Sequence, residues 1–155
     1  MSLEKVQEYF DLKGIGDRVR VNKTSSATVT LAAEALGTEE CRIAKTLGFS
    51  DGEDGAILVV MAGDAKVSNK KYKGFFGNKP RMLSADRIFE ITGHEVGGVC
   101  PFALSNPAAV YLDESMKRFE TVFAACGSTN GTIELNLEEL MQHSNAISWV
   151  DVCNY

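Results

Sequence analysis

The sequence predicts one domain of the mixed α/β (α+β) class, built around a central sheet. Its 155 residues match about one domain at the usual ratio of about 150 residues per domain. A hydrophobic share of 45% and a charged share of 24% are typical of a globular protein with a packed core. Strand-like and helix-like segments follow one another without regular alternation. We therefore expect a single domain over residues 1–155, with helices flanking the sheet.

The N-terminal part of the chain predicts two helices and a short strand. Ser2 is a candidate N-cap of an amphipathic helix that ends before Gly14. A weak alternation over residues 17–21 predicts a short strand. Thr30 is a candidate N-cap of a small helix that stops at Gly37.

The middle of the chain predicts two long strands followed by two helices. Residues 41–49 alternate between apolar and other side chains, which indicates a strand. Residues 56–62 form an unbroken apolar run, which is typical of a strand covered on both faces. Asn69 is a candidate cap of a short basic helix, and Ser84 of a second helix that ends at Gly93.

The C-terminal third predicts a hairpin, a helix and a closing strand. The Asn130-Gly131 pair suits the turn of the hairpin. Asn136 with Glu139 resembles a capping box at the start of a helix over residues 137–143. The strands are predicted over residues 109–112, 119–126, 132–136 and 148–153.

The charge of the chain is unevenly distributed. The net charge is −5, which argues against a general nucleic-acid binder. Residues 66–81 nevertheless contain six basic residues and no acidic one, so the rest of the chain carries −11. The basic residues are Lys66, Lys70, Lys71, Lys73, Lys79 and Arg81. This stretch is either a solvated lysine-rich helix and turn or a surface that touches a limited length of phosphate backbone.

The cysteines and the known cofactor motifs indicate neither a metal site nor a cofactor. The four cysteines have no C-x-x-C pair, and only two histidines accompany them, so the spacing suggests neither a zinc site nor a disulfide framework. There is no G-x-G-x-x-G or Walker-type loop. The N-terminus lacks a secretory pattern, and no apolar run reaches the about 20 residues that span a bilayer. A cytoplasmic protein without membrane contact is expected.

Lys45 is the most informative single residue. The period of two along its strand places Lys45 on the same face as Ile43 and Leu47, where it is the one charged side chain. A buried ammonium group is costly, so such a lysine pairs with a carboxylate, extends to the edge of the sheet, or lines a polar cavity that binds an anionic ligand. The strand alone leaves these alternatives open.

A glycine-rich loop over residues 93–101 is the second candidate. Glycines allow close approach of a ligand, so the amides of Gly98, Val99 and Cys100 are able to surround a carbonyl oxygen, an oxyanion or a phosphate. A plain structural turn is the alternative. Cys100 is also a candidate thiol nucleophile with His94 as its base, although most lone cysteines are inert.

Five segments together resemble the YbaK family, the free-standing relatives of the editing domain inserted in bacterial prolyl-tRNA synthetases. The segments occur in the family's order over nearly the whole chain. They are residues 44–47, 60–68 without residue 65, 97–101, 111–115, and 125–128 leading to 133–135. The resemblance implies the fold of the prolyl-tRNA synthetase-associated domain, with a mixed, mostly antiparallel central sheet or a barrel-like sheet, and flanking helices.

The resemblance also implies an activity, which is hydrolysis of the ester between a wrongly attached amino acid and tRNA. Lys45 matches the functional lysine of the family, and residues 97–101 match its G-x-x-x-P loop, so the implied catalytic residues are Lys45, Gly97, Gly98, Val99 and Cys100. The family uses this lysine, backbone groups and the terminal ribose of tRNA rather than a protein nucleophile. The implied substrate-binding residues are Thr46, His94, Pro101, Gly127 and Ser128.

The implied partner is the acceptor end of an aminoacylated tRNA, and an aminoacyl-tRNA synthetase is a further candidate; DNA is not. The expected tRNA contacts are Lys66, Lys70, Lys71 and Lys73. Small amino acids on tRNA-Pro or a related tRNA are the expected substrates. Two alternatives remain: a non-catalytic module that binds tRNA or a synthetase on the same scaffold, and a cysteine-dependent hydrolase of small esters or amides.

Overall fold

The computed structural model describes residues 2–155, which contain nine strands and five α-helices. The helices are α1 (Ser2–Leu12), α2 (Val29–Leu36), α3 (Asn69–Phe76), α4 (Ala85–Thr92) and α5 (Leu137–Ser144). The strands are β1 (Arg20–Val21), β2 (Ile43–Ser50), β3 (Ala56–Ala62), β4 (Lys66–Val67), β5 (Ala109–Asp113), β6 (Thr121–Ala125), β7 (Gly131–Asn136), β8 (Ser148–Val150) and β9 (Cys153–Asn154). None of the described helices is long and apolar enough to cross a membrane.

Seven strands form one mixed sheet, in the order β1-β7-β6-β2-β3-β5-β8. Strands β1 and β7, β7 and β6, and β2 and β3 pair antiparallel, whereas β2 and β6, β3 and β5, and β5 and β8 pair parallel. Strands β4 and β9 form a separate antiparallel pair. The predicted mixed α/β class is confirmed, and in residues 2–155 the sheet is open, with β1 and β8 at its edges.

Strand β3 forms the centre of the core. All seven of its residues are buried, as the unbroken apolar run predicts. Its neighbour β2 pairs with it over its length, and Lys45 lies opposite Met61. Because β2 also pairs with β6, the lysine is carried by an interior strand of the sheet.

Two helices begin at a residue other than the predicted cap. Thr28, not Thr30, caps α2, because its side-chain oxygen accepts the amide of Leu31. Ser68, not Asn69, caps α3 by accepting the amide of Lys71. These corrections move each start by one or two residues and leave the predicted helices in place.

The predicted ends of α4 and the predicted start of α5 agree with the structure, whereas the predicted cap of α1 does not. Ser84 caps α4, and Gly93 ends it in the left-handed conformation. Asn136 and Glu139 form the predicted capping box of α5. The hydroxyl of Ser2, a predicted cap, instead donates to the carbonyl of Gly93, and α1 includes Ser2. The structure therefore gives this serine a tertiary role that a local pattern does not reveal.

Four predicted strands are shorter or divided in the structure. The strand predicted over residues 119–126 is limited to β6, Thr121–Ala125. Residues 17–21 form a 3-10 turn (Gly16–Arg18) followed by β1, and the strand predicted from residue 41 starts at Ile43, after a second 3-10 turn (Glu40–Arg42). The predicted closing strand over residues 148–153 is divided into β8 and β9, which belong to different sheets. Between them, the amide of Val152 donates to the buried carboxylate of Asp113 at 2.9 Å.

Candidate functional site

The largest concentration of the predicted site residues surrounds a mostly apolar cavity of about 340 Å³ beside β2. This volume is at the lower end of the range for small-molecule pockets, which is roughly 300 to 1,000 Å³. Its walls come from β2, β6, α2, α4 and the loop before residue 100. The lining residues include Ser26, Thr28, Ala32, Ile43, Lys45, Thr46, Met82, Ile88, Val96, Gly97, Val99, Phe123 and Thr132. Among the described residues, no group of three or more His, Cys, Asp and Glu side chains is placed to hold a metal ion.

Lys45 on β2 lines this cavity, and its ammonium group is bound by backbone carbonyls. The Nζ atom donates to the carbonyl oxygen of Ala65 at 2.6 Å and to that of Gly63 at 3.2 Å. Both acceptors belong to the turn between β3 and β4. The nearby carboxylate of Asp64 is occupied by Arg118, whose two guanidinium nitrogens lie 2.6 and 2.9 Å away. The lysine is therefore oriented by carbonyls, and it forms no direct ion pair with another of the described residues.

The surroundings of Lys45 lower its pKa. Burial is the main cause, because the half-buried ammonium group is partly removed from water, and the positive charge of Lys66 acts in the same direction. The nearby Cys153 and Asp64 oppose the change. A lysine with a perturbed pKa beside a cavity is a common feature of functional sites.

The loop over residues 97–101 packs against the hairpin between β6 and β7. Gly97 has a φ of +94°, which favours glycine. A Cβ atom on Gly98 would lie 2.5 Å from the backbone nitrogen of Ser128, so this position has no room for a side chain. The amide of Gly127 donates to the carbonyl of Gly98 at 3.0 Å. Gly127 and Ser128 thus hold the loop in place beside the cavity.

The amides of this loop differ in their availability. That of Gly98 donates to the carbonyl of Glu95 at 3.0 Å, so it is already used within the loop. Within residues 2–155, the amides of Gly97 and Val99 make no backbone hydrogen bond outside helices and strands, and both residues line the cavity. These two amides are the better candidates to bind a carbonyl oxygen.

Cys100, His94 and Pro101 do not line the cavity. Cys100 is buried, and burial raises the pKa of its thiol to about 12. His94 is fully buried, and its Nε2 atom lies 2.9 Å from the carbonyl oxygen of Phe102. Pro101 lines a different cavity, next to Tyr9. A protonated, buried thiol is a poor nucleophile, so this arrangement argues against cysteine-dependent hydrolysis.

The pattern of the sequence does not reveal one wall of the cavity. Residues 22–28 cross beside the hairpin, with the amides of Asn22 and Ser26 donating to the carbonyls of Asn130 and Thr129 at 2.7 and 2.6 Å. Ser26, with its neighbours at 27 and 28, lines the cavity. Small polar residues before a helix are the only local signal, and they equally indicate a plain loop.

The four lysines predicted to contact tRNA have different surroundings. Lys66 on β4, and Lys70 and Lys73 on α3, are exposed and form no ion pair within the described chain. Lys71 is tied to the protein, because its Nζ atom lies 3.1 Å from Asp151 and 2.8 Å from the carbonyl oxygen of Cys153. Three of the four are thus free to meet a phosphate, and the fourth holds β9.

Comparison with known proteins identifies the class to which this fold and site belong. The model of the aminoacyl-tRNA editing domain matches residues 24–143, a span that includes Lys45 and the loop over residues 97–101. The chain belongs to this family. The resemblance that the sequence motifs carry is therefore confirmed.

Several known proteins are similar over much or nearly all of the chain. A Bacillus subtilis (strain 168) protein, the uncharacterized YwhH, is 52% identical over 153 residues, covering 99% of this chain and 98% of that protein. EbsC of Enterococcus faecalis (strain ATCC 700802 / V583), designated provisionally a Cys-tRNA(Pro)/Cys-tRNA(Cys) deacylase, is 30% identical over 114 residues, covering 73% and 70%. The crystal structure of a protein described provisionally as a trans-editing enzyme for prolyl-tRNA synthetase superimposes with a TM-score of 0.87 at 30% identity, covering 99% and 98%.

Proposed function

We propose that this protein is an aminoacyl-tRNA deacylase that acts in trans on a small amino acid wrongly attached to tRNA-Pro or a related tRNA. Membership of the editing-domain family carries the proposal, and the names of similar proteins support the substrate class. A synthetase pocket discriminates by only about 1 to 3 kcal/mol per methylene group, so similar amino acids are mischarged and need a second hydrolytic step. Such an enzyme works where tRNA is charged, so we also propose a cytoplasmic location.

The proposed reaction is hydrolysis of an ester by water. Water adds to the ester carbonyl, the bond between that carbonyl carbon and the ribose oxygen breaks, and the ribose oxygen takes up the proton. The products are the free amino acid and a tRNA with a free terminal hydroxyl. The adjacent ribose hydroxyl helps to orient the water, and no protein nucleophile takes part, in keeping with the buried thiol of Cys100.

The residues of the cavity have distinct roles in this proposal. The amides of Gly97 and Val99 orient the ester carbonyl and stabilise the oxyanion that develops on it, while Lys45 supplies a fixed positive charge beside the terminal nucleotide. Thr46 lines the same cavity and contacts the substrate. One well-placed oxyanion donor contributes roughly 100- to 1,000-fold in rate, which is sufficient for an already activated ester.

A deacylation panel tests this function. The purified protein is incubated with tRNA-Pro charged with alanine, cysteine, serine or proline, and release of the amino acid is measured. We expect hydrolysis of at least one of the non-cognate esters, and a loss of roughly 100-fold in Lys45→Ala because a positioned charge is removed. Lys13→Ala is the matched control, since Lys13 is an exposed lysine that does not line the cavity.

Two outcomes would contradict the proposal. Saturable binding of tRNA without turnover of any ester would favour the non-catalytic binding module. Hydrolysis that survives Lys45→Ala but disappears in Cys100→Ser would favour the cysteine-dependent hydrolase.

A further inference from the structure

A second cavity, of about 350 Å³, adjoins the first at Lys45. Lys45, Leu47 and Met82 line both cavities, so the two share one wall. The other lining residues of the second cavity come from the end of β2, the start of α3, β4 and its preceding turn, and the segment before residue 83. They are Phe49, Ala65, Lys66, Val67, Asn69 and Pro80.

The second cavity is cationic. Its only charged lining residues in the described chain are Lys45 and Lys66. Lys66 is exposed and forms no ion pair with any residue in the range 2–155, and it is close enough to contribute to the lowered pKa of Lys45. The acidic residue nearest in sequence, Asp64, is bound by Arg118. Two like charges beside one cavity favour the binding of an anion between them.

The remaining surface of this cavity suits a nucleobase. Leu47 and Phe49 form an apolar floor on β2, and Pro80 and Met82 line it from the opposite segment. Met82 is 66% exposed, which leaves it open to contact a ligand. An apolar surface beside positive charge is the combination that binds single-stranded nucleic acid.

We propose that the second cavity binds the nucleotide that precedes the terminal adenosine of tRNA, with the phosphate between these two nucleotides held by Lys45 and Lys66. The inference rests on the proposed function, which places the aminoacyl ester in the first cavity. Because Lys45 lies on the shared wall, a tRNA chain whose aminoacyl ester is in the first cavity passes this lysine and continues into the second cavity. Lys66 is thereby a substrate-binding residue for one defined phosphate.

Minimal substrates with and without that phosphate test the inference. The amino acid selected by the deacylation panel is attached as a ribose ester to adenosine and to the dinucleotide cytidylyl-adenosine, and kcat/KM is measured for both. We expect the native protein to prefer the dinucleotide ester by about tenfold, the effect of one charge-assisted hydrogen bond. Lys66→Ala removes this preference, because it lowers kcat/KM for the dinucleotide ester about tenfold more than for the adenosine ester, which lacks the phosphate.

Lys79→Ala is the matched control. It removes the same charge from the same basic stretch, at an exposed lysine that lines neither cavity, and so keeps the preference for the dinucleotide. Equal losses in Lys66→Ala and Lys79→Ala would show a general effect of charge and would overturn the inference. No preference in the native protein would also overturn it, while hydrolysis of the adenosine ester would leave the proposed function intact.

A binding measurement covers the case in which no ester is hydrolysed. The native protein is titrated with unesterified cytidylyl-adenosine, and the chemical shifts of its backbone amides are followed by NMR. Shifts confined to residues around the second cavity, weakened by Lys66→Ala but not by Lys79→Ala, would support the binding site even if the proposed function failed. Absence of such shifts at millimolar dinucleotide would overturn it.

Discussion

At the scale of single residues, the ammonium group of Lys45 is held in a fixed direction and still has one N–H donor available. Carbonyl oxygens at residues 63 and 65 accept two of its three protons, so the third can be donated to a ligand. The sequence identifies this lysine because it is the one charge on an apolar strand face. It does not identify the acceptors, because a backbone carbonyl is present at every residue and only the turn after β3 brings these two within reach.

Cys100 illustrates a candidate that the sequence cannot resolve. The loop position and the nearby glycines favour a reactive thiol, but the structure buries the thiol and raises its pKa to about 12. His94, its candidate base, is directed to the carbonyl of Phe102. Burial depends on the packing of the whole loop against the hairpin, which no local pattern encodes.

We expect Cys100→Ser to retain deacylation within about twofold, because the thiol is protonated and does not touch the cavity. Its free energy of unfolding falls by about 1 to 3 kcal/mol, since burying a hydroxyl costs more than burying a thiol and the carbonyl of Phe102, 4.0 Å from the thiol sulfur, is beyond hydrogen-bond distance for a hydroxyl. Single-turnover hydrolysis and urea denaturation measure the two effects. A folded Cys100→Ser protein with no activity would contradict this assignment.

At the scale of elements, the loop over residues 97–101 and the hairpin between β6 and β7 act as one unit. The contact depends on glycine at residue 98, where a Cβ atom would collide with the backbone of the hairpin rather than with a flexible side chain. Gly97 and Val99, which line the cavity, are therefore positioned by a contact between segments that are about 30 residues apart in sequence.

We predict that Gly98→Ala lowers kcat by at least roughly 10-fold, because the loop must shift away from the hairpin and its amides lose their alignment with the ester. Gly74→Ala is the control, since a Cβ atom there has open space within α3 and alanine favours a helix by about 1 kcal/mol. Steady-state kinetics and thermal unfolding are measured for both. Normal kcat in Gly98→Ala would show that the loop amides are not used.

The elements themselves were largely predictable, and their boundaries less so. The unbroken apolar run predicted the buried strand β3, and apolar patterns together with candidate caps predicted all five helices. The predicted starts of α2 and α3 were wrong because several residues able to cap a helix lie close together in the sequence. Which of them becomes the cap depends on the tertiary structure around the helix start. The division of the closing strand could not be predicted, since it depends on pairing with β5 and β4, far away in the sequence.

At the scale of the whole molecule, two buried histidines link folding to pH. Burial lowers the pKa of both His94 and His143 below 6.5, their ordinary value, although Glu139 opposes this for His143. As the pH falls below 6.5, the unfolded chain binds protons that the folded chain does not, so the free energy of unfolding decreases. The lowered pKa values of Asp64 and Glu139 matter only near and below 4.5.

We therefore expect the protein to be less stable at pH 5.0 than at pH 7.5. Each histidine contributes up to about 1.4 kcal/mol per pH unit over the range in which it is protonated in the unfolded chain and neutral in the folded protein. His94→Gln should reduce this difference, because the amide nitrogen of glutamine can replace Nε2 as donor to Phe102 without titrating. Urea denaturation at the two pH values gives the comparison. An unchanged difference in His94→Gln would show that His94 binds a proton in the folded protein.

The order of the strands was beyond sequence analysis. Hydrophobic patterns indicate where strands occur, but they do not indicate that β2 lies between β3 and β6, which decides where the cavity forms. The family resemblance predicted site residues at Lys45 and over residues 97–101; of these, Lys45, Gly97 and Val99 line that cavity. The sequence does not predict that residues 22–28 form a wall of the cavity, because their hydrogen bonds are made with the hairpin, about 100 residues later.

The parallel pairing of β2 with β6 has a consequence for the time course of folding. Ala44 and Ala124 are partners although about 80 residues separate them, and Thr132 of the next strand also lines the cavity. Contacts between such distant residues close large loops, which slows folding. We therefore expect the cavity beside β2 to form late as the chain folds, and a chain interrupted before β7 to contain Lys45 without the part of the cavity wall that Thr132 supplies.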